Sequence, residues 1–420
     1  MTTATVSLAD PATYAAGVPH AAFARLRREA PVSWVDEPVL ARRDADGTVH
    51  TRQGAGFWAV TRYPTVVAVS REPDLFSCAE RGVFLADPAT HEDLVRARQM
   101  LTNMDGDRHL TMRRLVAPAF RTSAVEALRD NVTRHAQAVL RRVLDAGGCD
   151  LTRDVAEELT LLVLADLLGV PPADRSLLLR WSNRLVGFDD PEFGGGDIDA
   201  YRGTFAEAGA YVTELAARRR HEPGDDLVSR LVHSEVDGRR LTGPELLLFW
   251  LLLVVAGNET TRHLISGGLL ALLEHPGERK RLVARPELVP TAVEELLRWV
   301  SPIMQFRRTA TRDTVLDGQP IAAGDKVVVY YISANRDEAV FPGPDRLDLG
   351  RAPNPHLAFG TGPHTCLGAR MAHLEFQTLL RLLLPHLDRL ELTGPPVRLQ
   401  SNFMNGIKSM PALIRGRHDG

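Results

Sequence analysis

The chain has little of what would assign it to most functional classes. Its 420 residues hold only three cysteines, Cys78, Cys149 and Cys366, odd in number and far apart. That excludes a disulfide framework, a zinc finger and a paired-cysteine redox motif, and fits unpaired thiols in a reducing cytoplasm. No run of Lys or Arg is present and the formal net charge is −3, so nothing points to a nucleic-acid surface. The longest apolar run, 246–257, stops at Asn258-Glu259 after 12 residues, where a membrane-crossing helix needs about 20. The N-terminal residues Met1 to Ser7 lack a basic region followed by an apolar core, so neither a signal peptide nor an anchor helix is expected. The Asn-x-Thr sequons at Asn131 and Asn258 are then chance matches. No linker tract, low-complexity block or repeat divides the chain, and one domain over 1–420 is expected although the length alone would allow more.

What is present centres on His356-Leu-Ala-Phe-Gly-Thr-Gly-Pro-His-Thr-Cys-Leu-Gly-Ala-Arg370. Gly360, Gly362 and Gly368 give the backbone freedom to take positive φ or to approach a flat ligand, and Pro363 stiffens the turn. Leu367, Met371, Leu374, Leu379, Leu382 and Leu383 then recur at helical spacing, which puts the Cys366 thiol at a helix N-terminus, where the dipole and free amides favour thiolate. There is no C-x-x-C-H for covalent haem attachment. A lone thiolate in a shaped loop leaves haem held by one axial sulfur. Gly360-x-Gly362 does not complete a dinucleotide fingerprint, because Thr365 stands where the third glycine belongs and no β-branched strand precedes it.

Periodicity makes the rest mainly helical with small sheets. A helix over 19–30, strands over 32–35 and 56–61, a helix over 63–70 and an irregular stretch over 79–100 with a short helix near 91–98 describe a small N-terminal sheet beside helices. Long amphipathic helices come next over 123–145, 151–168 and 175–185, and then a glycine-rich segment over 187–201 that reads as a hinge-like connection or lid. Asp237-Gly238 makes a turn, and Thr242-Gly-Pro-Glu245 writes a capping box that opens a helix running to residue 274, about 50 Å long. Inside it Ala256-Gly257-Asn258-Glu259-Thr260-Thr261 interrupts an apolar wall. Thr260 can bond back to the Ala256 carbonyl there, and buried polar groups at mid-helix ask for a reason. A helix over 291–300 and a second small sheet built on a strand over 324–332 complete the pattern.

Phe359-Gly-Thr-Gly-Pro-His-Thr-Cys366-Leu-Gly368 resembles the haem-binding signature of the cytochrome P-450 monooxygenases, and further matches run from about Asn103 to the C-terminus. The resemblance implies a cytochrome P-450 fold, α+β and mainly helical, with a long central helix over haem b. Cys366 would be the axial ligand, with Phe359, Gly360 and Gly368 against the cofactor. His109 and Arg113, four apart before Leu115-Val116, match the family's H-x-x-x-R, and with Arg308 and His364 they would meet the haem propionates. The preceding Asp105-Gly-Asp-Arg departs from the family's usual D-P-P-E. Thr260 would hold dioxygen by a hydrogen bond and Glu259 would feed protons through water. Glu295 and Arg298 match the family's E-x-x-R, a buried pair joined by Arg351, and are scaffold residues.

The activity implied is insertion of one oxygen atom from O2 into an apolar small molecule, a terpenoid, steroid, branched lipid or polyketide-like compound, in the cytoplasm. No flavin or paired-cysteine electron source is visible, so ferredoxin and ferredoxin reductase would supply electrons. Leu253, Val254, Ala256, Ile303, Met304, Phe306, Phe403 and Met404 are the expected pocket wall, although a core role competes for each. The rivals are a haem-thiolate isomerase or dehydratase and a non-enzymatic haem-binding protein. Glu259 with Thr260 favours oxygen activation over the first, and the lack of room for an output domain weighs against the second.

Overall fold

The computed structural model describes residues 6–44, 46–88, 90–235 and 238–415. Met1 to Thr5 and the Asp237 half of the expected Asp237-Gly238 turn lie outside them. Helices dominate, and the two ends of the chain meet in one sheet. Its strands lie in the order Val32–Val35, Phe57–Val60, Lys326–Tyr330, Gln305–Ala310 and Phe76–Ser77. Val327 to Val329 pair in parallel with Trp58 to Val60, and the other pairings are antiparallel. The strand expected over 324–332 therefore joins the N-terminal sheet and founds no second one. It also stops at Tyr330, because Tyr331–Ala334 turns into a short helix.

The central helix, Gly243–Glu274, has 32 residues and begins with the predicted capping box: Thr242 Oγ1 accepts from the Glu245 amide while the Glu245 carboxylate accepts from the Thr242 amide. Helical packing holds it at two levels. Its N-terminal half, Leu246 to Val254, packs with the helices Glu158–Leu168, Arg175–Val186 and Ile198–His221. Its C-terminal half, Leu264 to Leu272, packs with Arg129–Ala146, Val289–Val300 and Ala369–Leu387. One helix thus crosses both cores, and its middle lies at the junction between them.

Three local departures from the expected pattern shape the surroundings of that junction. The 123–145 helix breaks after Glu126 and restarts at Arg129. The 151–168 helix opens with a π-helical segment, Leu151–Glu157, capped by the Asp150 carboxylate. The 187–201 connection ends at Asp197, which caps the helix Ile198–His221. A sheet of Gly148–Asp150, Pro411–Ile414 and Leu390–Leu392 brings the C-terminal segment against the helical core. Glu295 and Arg298, both fully buried, form the predicted pair at 2.8 Å, and Arg351 Nε donates to Glu295 at 3.0 Å.

Candidate active site

The cysteine loop is fixed by its own backbone. Gly360 and Gly362 take φ of 68° and 77°, the left-handed region that favours glycine, and a Cβ on Gly362 would meet the Ser70 carbonyl oxygen at 2.5 Å. Gly368 has an ordinary φ of −83° and precedes the helix Ala369–Leu387, and a Cβ there would stand 3.9 Å from the Cys366 sulfur, an ordinary contact. The Cys366 amide donates to the Phe359 carbonyl at 2.9 Å, which closes the loop. The thiol has exposed surface although enough protein surrounds it that burial raises its pKa, against the amides of Gly368 and Ala369 and the charge of Arg113. The expected amide help is present but burial outweighs it. A bound metal cation reverses that balance, because coordination deprotonates a thiol outright.

Beside the loop stand the predicted cationic and imidazole residues. His109 and Arg113 lie on the helix Gly106–Val116, and the His109 and His364 rings are 4.2 Å apart. Arg113 donates to the Thr365 carbonyl at 2.7 Å. Arg308, buried in its strand, donates to the Arg307 carbonyl at 2.8 Å, and its charge bears on His364. The Nε2 atoms of His109 and of His364 are buried without a hydrogen-bond partner. Burial and the positive charges of Arg308, His109 and Arg113 push His364 down to about 3. Four such groups with two orphaned nitrogens are unbalanced by themselves. The acid tails of a haem fit that need, since carboxylates accept from these donors and cancel the mutual repulsion. Asp105 does not fill the role. It accepts from Ser77 Oγ at 2.5 Å and from the amides of Cys78 and Ala79, and its nearest oxygen is 4.0 Å from His364 Nε2. Cys78, Asp105 and His364 do bring ligand atoms within 4.8 Å of one another, but burial pushes the Cys78 thiol up to about 11.

The polar break in the central helix divides by face. Ala256 is exposed and Thr260 half-buried in the middle of an otherwise buried helix, so this face opens on an internal space. Thr260 Oγ1 donates to the Ala256 carbonyl at 2.6 Å, as expected. Glu259 points elsewhere and is 1 % exposed. Ser182 Oγ donates to it at 2.9 Å and Asn258 Nδ2 at 3.3 Å, Arg262 is tightly paired with it, and His263 Nε2 lies at 3.4 Å. Burial would raise the Glu259 carboxyl, but Arg262 and His263 hold it below the usual carboxylate range. Sequence reasoning misses the neighbours Ser182, Arg262 and His263. Only the one-turn spacing of Arg262 and His263 from Glu259 could have signalled two of them.

The expected pocket wall is only partly brought together. Ile303 bridges to Met404, and the Met304 amide donates to the Phe403 carbonyl, which sets Ile303, Phe306 and Phe403 side by side. These three and Leu253 keep some exposed surface. Val254, Met304 and Met404 are 0 %, 0 % and 1 % exposed. Val254 packs into the helical core and Met304 against the N-terminal sheet, so packing claims side chains expected on the wall. Phe84, 45 % exposed and 5.2 Å from the Phe403 ring, extends the aromatic face from a stretch read as irregular. No helix among the described residues is long and apolar enough to cross a membrane.

Comparison with known proteins shows the family of the chain. Residues 210–412 match a family model described as Cytochrome P450. The chain is 38 % identical over 402 residues to the steroid C26-monooxygenase of Rhodococcus jostii (strain RHA1), covering 95 % of this chain and 82 % of that protein. It is 41 % identical over 396 residues to a methyl-branched lipid omega-hydroxylase of Mycobacterium tuberculosis (strain ATCC 25618 / H37Rv), covering 93 % and 90 %. Among solved structures, a Mycobacterium marinum cytochrome P450 in complex with pseudoionone superposes with a TM-score of 0.87 at 39 % identity, covering 98 % of both chains.

Proposed function

The chain belongs to the cytochrome P450 family and is a monooxygenase of apolar substrates, and from that premise we propose that Cys366 is the axial ligand of a haem b whose acid tails are held by His109, Arg113, Arg308 and His364. The observation that carries this reading is the pair of unpartnered imidazole nitrogens facing each other beside an accessible, deeply set thiol. Bound there, haem supplies the iron chemistry that inserts one oxygen atom of O2 into a C–H or C=C bond while the other leaves as water. Phe359, whose carbonyl accepts the Cys366 amide, and Gly360 shape the loop, and Gly368 lies beside the sulfur. Thr260, whose hydroxyl donates to the Ala256 carbonyl in this structure, exchanges that bond to orient oxygen. Glu259, one residue earlier, is the acid that passes protons toward it.

The substrate is a steroid, terpenoid, branched lipid or polyketide-like molecule lying against Ala256, Ile303, Phe306 and Phe403. Apolar walls with few polar anchors suit such compounds, and relatives named for steroid and methyl-branched lipid oxidation support the class. Electrons come from a ferredoxin and its reductase, the protein works in the cytoplasm, and residues 1–420 form a single domain of this family. The isomerase alternative is disfavoured because the central helix carries an acid and an alcohol side by side, Glu259 and Thr260. Turnover with a surrogate ferredoxin and reductase under isotopically heavy dioxygen tests the reading. Product from a steroid or branched-chain probe should carry one heavy oxygen atom per molecule oxidised, and unlabelled product, or product formed without oxygen, contradicts it.

A further inference from the structure

Arg262 is 1 % exposed and serves two carboxylates at once. One terminal nitrogen pairs with Glu259, and the other donates to Glu157 Oε2 at 2.6 Å and to Asn183 Oδ1 at 3.3 Å. Glu157 is the last residue of the π-helical segment Leu151–Glu157, an uncommon geometry often found at functional sites. Its side chain is 17 % exposed against 1 % for Glu259, so the outer acid reaches solvent and the inner one does not. We propose that Glu157 is a positioning residue that, by competing for the Arg262 guanidinium, keeps the Glu259 carboxylate able to leave its clamp and serve the cavity.

The physical argument is a division of one charge. Glu259 is faced by Arg262 and His263 from its own helix, by Ser182 from Arg175–Val186, and by Glu157 across the guanidinium. Its neighbour Asn258 is itself held by Thr160 at 2.9 Å. His263 is buried, its Nδ1 accepts from the Ile407 amide at 3.4 Å, and its Nε2 lies 3.4 Å from Glu259 without a hydrogen bond. A full guanidinium charge given to Glu259 alone would fix it as a structural anion. Glu157 draws part of that charge away. Burial and the charge of Glu259 raise the Glu157 carboxyl, against Arg262 and Arg153. The two acids therefore compete for one partner, and removing the outer one leaves a matched buried pair that holds Glu259 more firmly.

This inference rests on the proposed proton-passing role of Glu259, and the test separates the two. Glu157→Gln should fold, because Arg262 and Glu259 still balance each other. Coupled turnover at neutral pH should then fall, its solvent deuterium isotope effect should rise, and substrate affinity should hold. Glu157→Asp, which keeps the charge, should restore most of the coupled turnover and of the wild-type isotope effect. In the resting protein, the infrared band of protonated Glu259, identified by its loss in Glu259→Gln, should appear at lower pH in Glu157→Gln. An unchanged isotope effect and band in Glu157→Gln, with coupling impaired in Glu259→Gln, overturns this inference alone. Unimpaired coupling in Glu259→Gln overturns both readings.

Discussion

His109 and His364 carry the clearest residue-scale statement, since each buries an imidazole nitrogen with nothing in the protein to bond. A hydrogen bond to a charged group contributes roughly 1.5–3 kcal/mol. His364→Ala or His109→Ala should therefore weaken haem retention about 10- to 100-fold, measured as the rate of haem transfer to apomyoglobin, and unchanged transfer would place the acid tails elsewhere. At the central helix, Thr260→Ala should leave haem and substrate binding intact while diverting reducing equivalents from product to peroxide. Comparing peroxide with product per electron pair checks this, and tight coupling in the variant would remove Thr260 from the oxygen-handling role. The cysteine loop and Thr260 were legible in the sequence for a local reason: glycines around Cys366 and a polar break in an apolar helix stand out against their neighbours. The clamp on Glu259 was not, because Ser182 and Glu157 reach it across separate helices and no short-range pattern encodes that meeting.

At the scale of elements, tethers between segments matter most. Asp190, 1 % exposed, lies in the 187–197 connection. It accepts from Lys408 Nζ at 3.0 Å and from the Gln400 amide at 2.9 Å, while Glu192 takes Lys408 at 2.8 Å. The glycine-rich segment that read as a hinge-like connection or lid is thus latched to the hairpin of Val397–Arg398 and Ile407–Ser409. Lys408→Met leaves the buried Asp190 carboxylate to the amides of Gln400 and Glu192, a loss of roughly 1.5–3 kcal/mol for a hydrogen bond to a charged group. Amide exchange over 187–197 should rise sharply in that variant, and unchanged protection would mean the latch does not hold the segment. A second tether joins three segments near the cysteine loop. Glu294 accepts from His356 at 2.8 Å and from His373 at 2.7 Å, and both rings lie near Phe359. Burial would lower the His373 pKa, but Glu294 raises it, and the imidazoles hold Glu294 down to about 2. A histidine raised on folding stabilises fully below its unfolded value and loses that contribution as pH climbs through the folded one. The depressed carboxylate contributes above its unfolded value and loses it as pH falls toward about 2. The melting temperature lost in His373→Ala should therefore be greatest near about pH 6 and shrink toward about pH 8. A loss that is flat over that range contradicts the assignment.

For the whole molecule, the organising fact is a long helix that belongs to two cores at once and opens only at its middle. That helix and its capping box could be read ahead, since periodicity and caps are local; the buried Glu295–Arg298–Arg351 group was expected from the family resemblance alone, because Arg351 meets the pair from far along the chain. The five-stranded sheet could not be read ahead. Its strands come from residues 32–77 and 305–330, and pairing across that distance is set by burial of both faces, which composition does not reveal. The same long-range closure sets Phe84 beside Phe403 and draws Val254 and Met304 into the core. All of these segments are arranged around the sulfur of Cys366, and the spectrum of the reduced protein under carbon monoxide tests that claim most directly. The wild type should show the strongly red-shifted Soret band of a thiolate-ligated haem and Cys366→Ala should lose it; the same band in both proteins, or in neither, would contradict the account.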